Sequence, residues 1–164
     1  MNRDVFAVTF ASWKKEVPDD IRDDPLWKVE VYRLSLFASD VCWRDAGTLR
    51  EIHRTRSVAD QLYRSVGSIS ADVAEGFSRG TGKDRARFYE YALGSARESR
   101  DWYFKGRFVL GKEVVAHRHD LISQIIRLLL VMVPEQRGGE IREPEVPYGS
   151  SESGEVNLED IPFS

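Results

Sequence analysis

The chain has 164 residues, of which 41% are apolar and 31% charged, enough for one domain with a real core and some further chain. No run approaches the ~18 consecutive apolar residues of a membrane helix, and the apolar patch at residues 5–10 is too short for a signal peptide, so a cytoplasmic protein without membrane contact is expected. The net charge of −3 hides an uneven spread: residues 25–133 carry 18 basic and 13 acidic groups and residues 134–164 carry 2 and 8, which predicts a basic body with an acidic tail.

The six prolines, at 18, 25, 134, 144, 147 and 162, leave a proline-free block between 25 and 134 where helices can run. No strand-like alternation interrupts that block. Ahead of it, residues 1–24 form an N-terminal extension that can pack across the body through Phe6, Phe10 and Trp13. A first helix is predicted from Asp24-Pro25, an N-cap followed by proline at the first helical position, to Asp45-Ala46-Gly47. Trp27, Val31, Leu34, Ala38 and Val41 fall on one face of it. Cys42 lies between Val41 and Trp43 and reads as a packed, inert thiol; as the one cysteine it has no internal disulfide partner.

A second helix carries Val58, Leu62, Val66, Ile69, Val73 and Phe77, with Ser57 and Asp60 as a capping pair and Gly76 as a stop. A third is predicted from about Lys83 to Leu110, capped by Thr81 and Asp84 and closed by Gly111. Phe88, Tyr91, Ala92, Ser95, Ser99, Trp102 and Tyr103 mark its inner stripe. A fourth, about Lys112 to Val133, carries Val114, Leu121, Ile125, Leu128, Leu129 and Met132 and is stopped by Pro134. Short connections make an all-α, antiparallel up-down four-helix bundle over residues 25–133 the expected fold. Residues 134–164, rich in Gly, Pro, Ser and Glu, are expected to form a disordered acidic tail, in which Val156-Asn157-Leu158 and Ile161-Pro162-Phe163 read as inert positions, with a short docking motif as the alternative.

Two segments carry a family resemblance. Asp60-Gln61-Leu62 with the run Ser68-Ile69-Ser70-Ala71-Asp72-Val73-Ala74-Glu75-Gly76-Phe77-Ser78-Arg79 is the first. The run from Arg87 through Gly94, Ser95 and Glu98 is the second, and Trp27-Lys28 fits as well. Together they resemble the four-helix-bundle family linked to intervening sequences in 23S rRNA genes, whose members include accessory variability proteins of diversity-generating retroelements. This chain has Asp72 where the family usually carries asparagine and Ser70 where it often carries proline. The resemblance implies a bacterial, non-enzymatic bundle that forms a homo-oligomeric ring, usually a pentamer. For the retroelement members it also implies binding of RNA or DNA and of a reverse transcriptase.

The residues themselves offer no catalytic constellation, cofactor site or metal site. His117 and His119 are two apart and diverge on a helix, and they read with His53 as solvated positions. Gly76, Gly80 and Gly82 lack the strand and the Gly-Lys-Ser/Thr ending of a phosphate loop. Glu75 and Glu98 read as structural partners of arginines across a helix seam, and Ser68 and Ser95 as small seam residues. The functional weight falls on arginine, whose planar fork suits phosphate. Arg50, Arg54, Arg56 and Arg64 surround the start of the second helix; Arg79, Lys83, Arg85 and Arg87 surround the start of the third. Arg97, Arg100, Lys105 and Arg107 lie farther along it. The plain reading of these cations is a solvated face; a nucleic-acid-binding scaffold is the functional expectation, and a protein–protein interaction module with the same cations in subunit ion pairs is its alternative.

Overall fold

The computed structural model describes residues 9–138, and every regular element among them is helical. In chain order they are α1 (Phe10–Glu16), α2 (Asp19–Arg22), a 3-10 turn (Pro25–Lys28), α3 (Glu30–Glu51), a second 3-10 turn (His53–Thr55), α4 (Arg56–Phe77), α5 (Gly82–Lys105), α6 (Arg107–Leu110) and α7 (Lys112–Arg137). None of these helices is long and apolar enough to cross a membrane. The long helices pack α3 on α4, α4 on α5, α5 on α7 and α7 back on α3. Their shared core includes Leu34, Phe37, Leu49, Leu62, Ile69, Leu121, Ile125 and Leu129, all almost wholly buried. Each such side chain contributes about 1.5–3 kcal/mol by leaving water.

The ends of the helices differ from the sequence expectation, each for a local reason. Asp24 does cap, accepting from the Leu26 amide at 2.8 Å, but what it caps is the 3-10 turn, and α3 proper starts at Glu30. Gly47 does not end α3; it faces open space on the exposed side while Leu49, two residues on, is fully buried and holds the helix to Glu51. Ser57 is not the cap of α4, which begins at Arg56. Thr55 precedes it and spends its hydroxyl on the Leu49 carbonyl at 2.6 Å. Thr81 caps α5, accepting from the Asp84 amide at 3.2 Å and donating to the Asp84 carboxylate at 2.9 Å.

The predicted third helix is broken at Gly106, which lies against Leu49. Its inner stripe is Ala86, Tyr89, Ala92, Leu93, Ala96, Ser99 and Tyr103; Tyr91 is exposed and Phe88 half-buried outside it. Gly111, at φ +87°, makes the corner into α7, a backbone region open mainly to glycine. Pro134 does not stop α7, which continues to Arg137 and ends at Gly138 in the left-handed region. Only the Leu130 carbonyl loses its helical donor there, and the buried Val133 beside it keeps the last turns in place. Residues 134–138 are thus helix and helix cap rather than tail. Phe6 and residues 139–164, with the tail and its docking motif, lie outside the described residues.

The segment ahead of Pro25 joins the same core. Trp13 is buried, its ring 5.2 Å from Phe37 and 6.0 Å from Trp27, and its indole N–H donates to Asp40 at 2.6 Å.

Candidate nucleic-acid interface

The motif residues of the second and third predicted helices meet along the α4–α5 seam. Small side chains set the distance: the Ser99 hydroxyl donates to the Ser65 hydroxyl at 3.0 Å inside the seam, with Ala92 and Ala96 buried beside it. Gly76 has no room for a methyl group, since a Cβ there would sit 2.7 Å from the Tyr89 ring and 3.0 Å from the Phe88 Cβ. Asp72 accepts a hydrogen bond from Ser95 across the seam. Burial pushes its carboxyl pKa up, the nearby Glu75 charge adds to the rise, and the Ser95 bond opposes both. Glu98 reaches across to Arg64 at 2.5 Å and accepts from the Trp102 indole at 3.1 Å. Glu75 instead pairs with Arg79, one turn along its own helix. Of the other motif positions, Ile69 is buried in the core and Ala74 is half-buried, Ser68 donates to the Arg64 carbonyl at 3.0 Å, and Ala71 and Gly94 face outward.

The structure divides the ten candidate cations. Arg50 lies 3.5 Å from Asp60, and Arg56 donates to the Arg50 carbonyl at 3.3 Å. Arg64 and Arg79 are tied to Glu98 and Glu75, and Arg79 also lies 4.4 Å over the Phe88 ring. Arg85 donates to the Arg79 carbonyl at 2.8 Å, and Arg87 to the Tyr91 hydroxyl at 2.7 Å. Lys83 is exposed at the start of α5, where the Asp84 carboxylate already supplies negative charge to the helix terminus.

Arg97 and Arg100 are placed differently. Both line an open groove between α5 and α7, together with Asp101, Phe104, His119 and Ser123. Arg100 reaches Ser123 at 3.4 Å, and the His119 ring nitrogen Nε2 lies 3.0 Å from the Arg100 carbonyl. Burial lowers the His119 pKa, against the opposing pull of that backbone bond, so the imidazole is neutral at pH 7. Arg107 sits 4.0 Å over the Phe104 ring and 4.2 Å over the Phe108 ring, so one guanidinium links both aromatics. Phe108 then forms a wall of a second pocket, whose rim holds Arg54 and Lys105 and whose lining includes Ile52, Val58 and Val109. The short α6 thus joins Arg54, from the start of the second predicted helix, to the cations at the end of the third. Arg97, Arg100, Phe104, Arg107 and Phe108 recur at 3, 4, 3 and 1, a spacing visible in the sequence; the contribution of Arg54 depends on the fold.

A second polar group was invisible in the sequence because its members lie far apart in the chain. Asp45, Tyr103 and Arg118 meet in the core between α3, α5 and α7. Asp45 accepts from Arg118 Nε at 2.8 Å, from its terminal nitrogen at 3.2 Å and from the Tyr103 hydroxyl at 2.9 Å. Arg118 Nη1 also lies 2.9 Å from His117 Nδ1, so His117 is a buried, hydrogen-bonded side chain and not a solvated one. Cys42 borders the group; burial raises its pKa to about 12, which leaves an unreactive thiol. No three of the described His, Cys, Asp and Glu side chains come together as a metal site.

A family model described as 23S rRNA-intervening sequence protein matches residues 28–130, the span from the end of the first 3-10 turn to the buried part of α7. No curated protein and no solved structure matches the chain. The matched span covers the greater part of the sequence, including both motif helices and their seam, and the chain belongs to the 23S rRNA-intervening sequence protein family.

Proposed function

We propose that this protein is a non-enzymatic scaffold, an antiparallel up-down four-helix bundle, that binds RNA or DNA along the strip on α5 and α6. The alternation of guanidinium and aromatic groups at Arg97, Arg100, Phe104, Arg107 and Phe108 on one exposed side carries the reading. Guanidinium forks pair with phosphates, and phenyl rings stack on bases. The family's name, which refers to an intervening sequence of 23S rRNA, agrees with a nucleic-acid setting. In the same reading the scaffold works as a homo-oligomer, a pentameric ring, and serves as an accessory to a reverse transcriptase.

One observation favours the protein-interaction module instead. Trp43 is 67% exposed and forms an edge-to-face pair with the exposed Tyr63, ring centroids 5.7 Å apart, where α3 meets α4. Aromatic pairs of this kind are common at the centre of protein interfaces.

The test is titration of labelled RNA and DNA with the full chain at low and moderate salt, beside an Arg97→Glu, Arg100→Glu double variant. Salt-sensitive binding that the variant loses is expected. Absence of binding at low salt overturns the reading and leaves the interaction module, to be followed by sedimentation of a Trp43→Ser variant.

A further inference from the structure

We propose that the pocket between α6 and the His53–Thr55 turn receives one unpaired nucleobase, so that the strip prefers single-stranded nucleic acid over duplex; this rests on the nucleic-acid reading above. The pocket holds about 450 Å³, within the ~300–1,000 Å³ range of sites for small ligands. Ile52, Val58 and Val109 supply apolar lining and Thr55 a polar edge, while Arg54 brings positive charge to it; the Lys105 ammonium is paired with Asp101. Phe108 supplies a flat wall. This ring is 85% exposed, more than any other large apolar side chain among the described residues. Arg107 covers one face at 4.2 Å, and the exposure of the rest leaves a face open for a planar partner.

A nucleobase fits these features better than an apolar peptide does. A base brings a π-face for Phe108 and a phosphate for the neighbouring cations, so the pocket and its charged surroundings are used by one ligand. Bases in a duplex are already paired and stacked, and placing one here requires extruding it. In a single strand the base is free to enter. Stacking on Phe108 accepts any base, so the preference is for strandedness before sequence. The path of the strand follows from the position of Arg107 between the two rings. A base against Phe108 leaves the adjoining backbone beside Arg107, Arg100 and Arg97.

The experiment measures anisotropy of a labelled oligothymidylate and of a duplex of equal length, both with the full chain at low salt. The variants are Phe108→Ala, Phe108→Tyr and Arg100→Ala. Phe108 is so exposed that its truncation leaves the core untouched. The wild-type chain is expected to bind the strand more tightly than the duplex. Phe108→Ala should weaken strand binding about tenfold, leave duplex binding unchanged, and be rescued by Phe108→Tyr. Arg100→Ala should weaken both ligands. If Phe108→Ala is silent, or weakens both ligands equally, while Arg100→Ala still acts, the base pocket is overturned and the broader reading stands. If the wild-type chain binds neither ligand, both fall. If Phe108→Ala lowers the sedimenting mass and spares strand binding, the ring is a contact between copies and the pocket assignment is overturned.

Discussion

Asp45 accepts from two different donors, Arg118 and Tyr103, where no water reaches it, and so the ion pair is held by geometry as well as charge. Such a pair adds little by itself, because desolvation offsets its attraction, but breaking it leaves a buried charge without a partner. Asp45→Asn should therefore lower the unfolding free energy by about 3–5 kcal/mol, read from urea denaturation. Combining it with Arg118→Met should cost less than the sum of the two single changes; additive losses would show that the two groups do not act as a pair. Cys42 beside them is predicted to resist an aromatic disulfide reagent at pH 8 in the folded chain, since its thiol pKa is raised to about 12 by burial. Labelling that outpaces global unfolding would contradict that burial. His119 bears on acid stability. Its folded pKa lies below the ordinary 6.5, so between those two values the unfolded chain binds the extra proton. Stability is complete above pH 6.5 and falls as pH drops through that window. His119→Gln should flatten this part of the pH–stability curve.

At the scale of elements, α4 and α5 approach closely because each presents small residues at the crossing. Gly76→Ala puts a methyl group 2.7 Å from a Tyr89 ring carbon and 3.0 Å from the Phe88 Cβ, and Tyr89 is itself packed in the core. A loss of about 1–3 kcal/mol is expected, typical of overpacking. Gly47→Ala is the contrasting change: the position is helical, exposed and free of neighbours within 4 Å. It should raise stability by about 0.5–1 kcal/mol. Thermal unfolding of the two variants side by side checks whether packing or helix propensity governs each glycine. The break at Gly106 has a functional counterpart. α6 follows it, and its Phe108 lines the same pocket as Arg54.

For the whole molecule, the placement of charge matters more than its total. Arg50, Arg64, Arg79 and Arg137 are each matched with a carboxylate within the chain, whereas Arg100 and Arg107 are engaged by a hydroxyl, a carbonyl and aromatic rings. A groove that contacts about three phosphates predicts a slope of log affinity against log salt near −2 for a single strand. Arg107→Gln should reduce that slope by about 0.7, whereas Arg50→Gln, matched to Asp60 and away from the groove, should leave it unchanged. Equal effects of the two changes would show a diffuse field in place of a defined path.

Helical class, the proline-free block, the Thr81–Asp84 cap and much of the apolar stripe were legible in the sequence, because helix periodicity and capping are local properties of the chain. Arg97 and Arg100 could be named from the sequence only as two of many cations along one helix; that they share a groove with His119 and Ser123 came from the fold. The helix ends were read less well, because packing of Leu49 and Val133 outweighs the local signals of Gly47 and Pro134. The inner stripe of α5 was misjudged at Tyr91, and only half right at Phe88: the stripe that packs is Tyr89 with Ala92, Ala96 and Ser99, which leaves Tyr91 exposed and Phe88 half-buried. Only the tertiary structure brought Asp45 to Tyr103 and Arg118, across 58 and 73 residues of chain. It also brought Arg54 to Phe108. Sequence alone determined which segments became helices and which faces were apolar, since both follow from neighbours a few residues away. Which polar groups share a site was decided by how those helices cross, and that depends on the summed packing of the whole core.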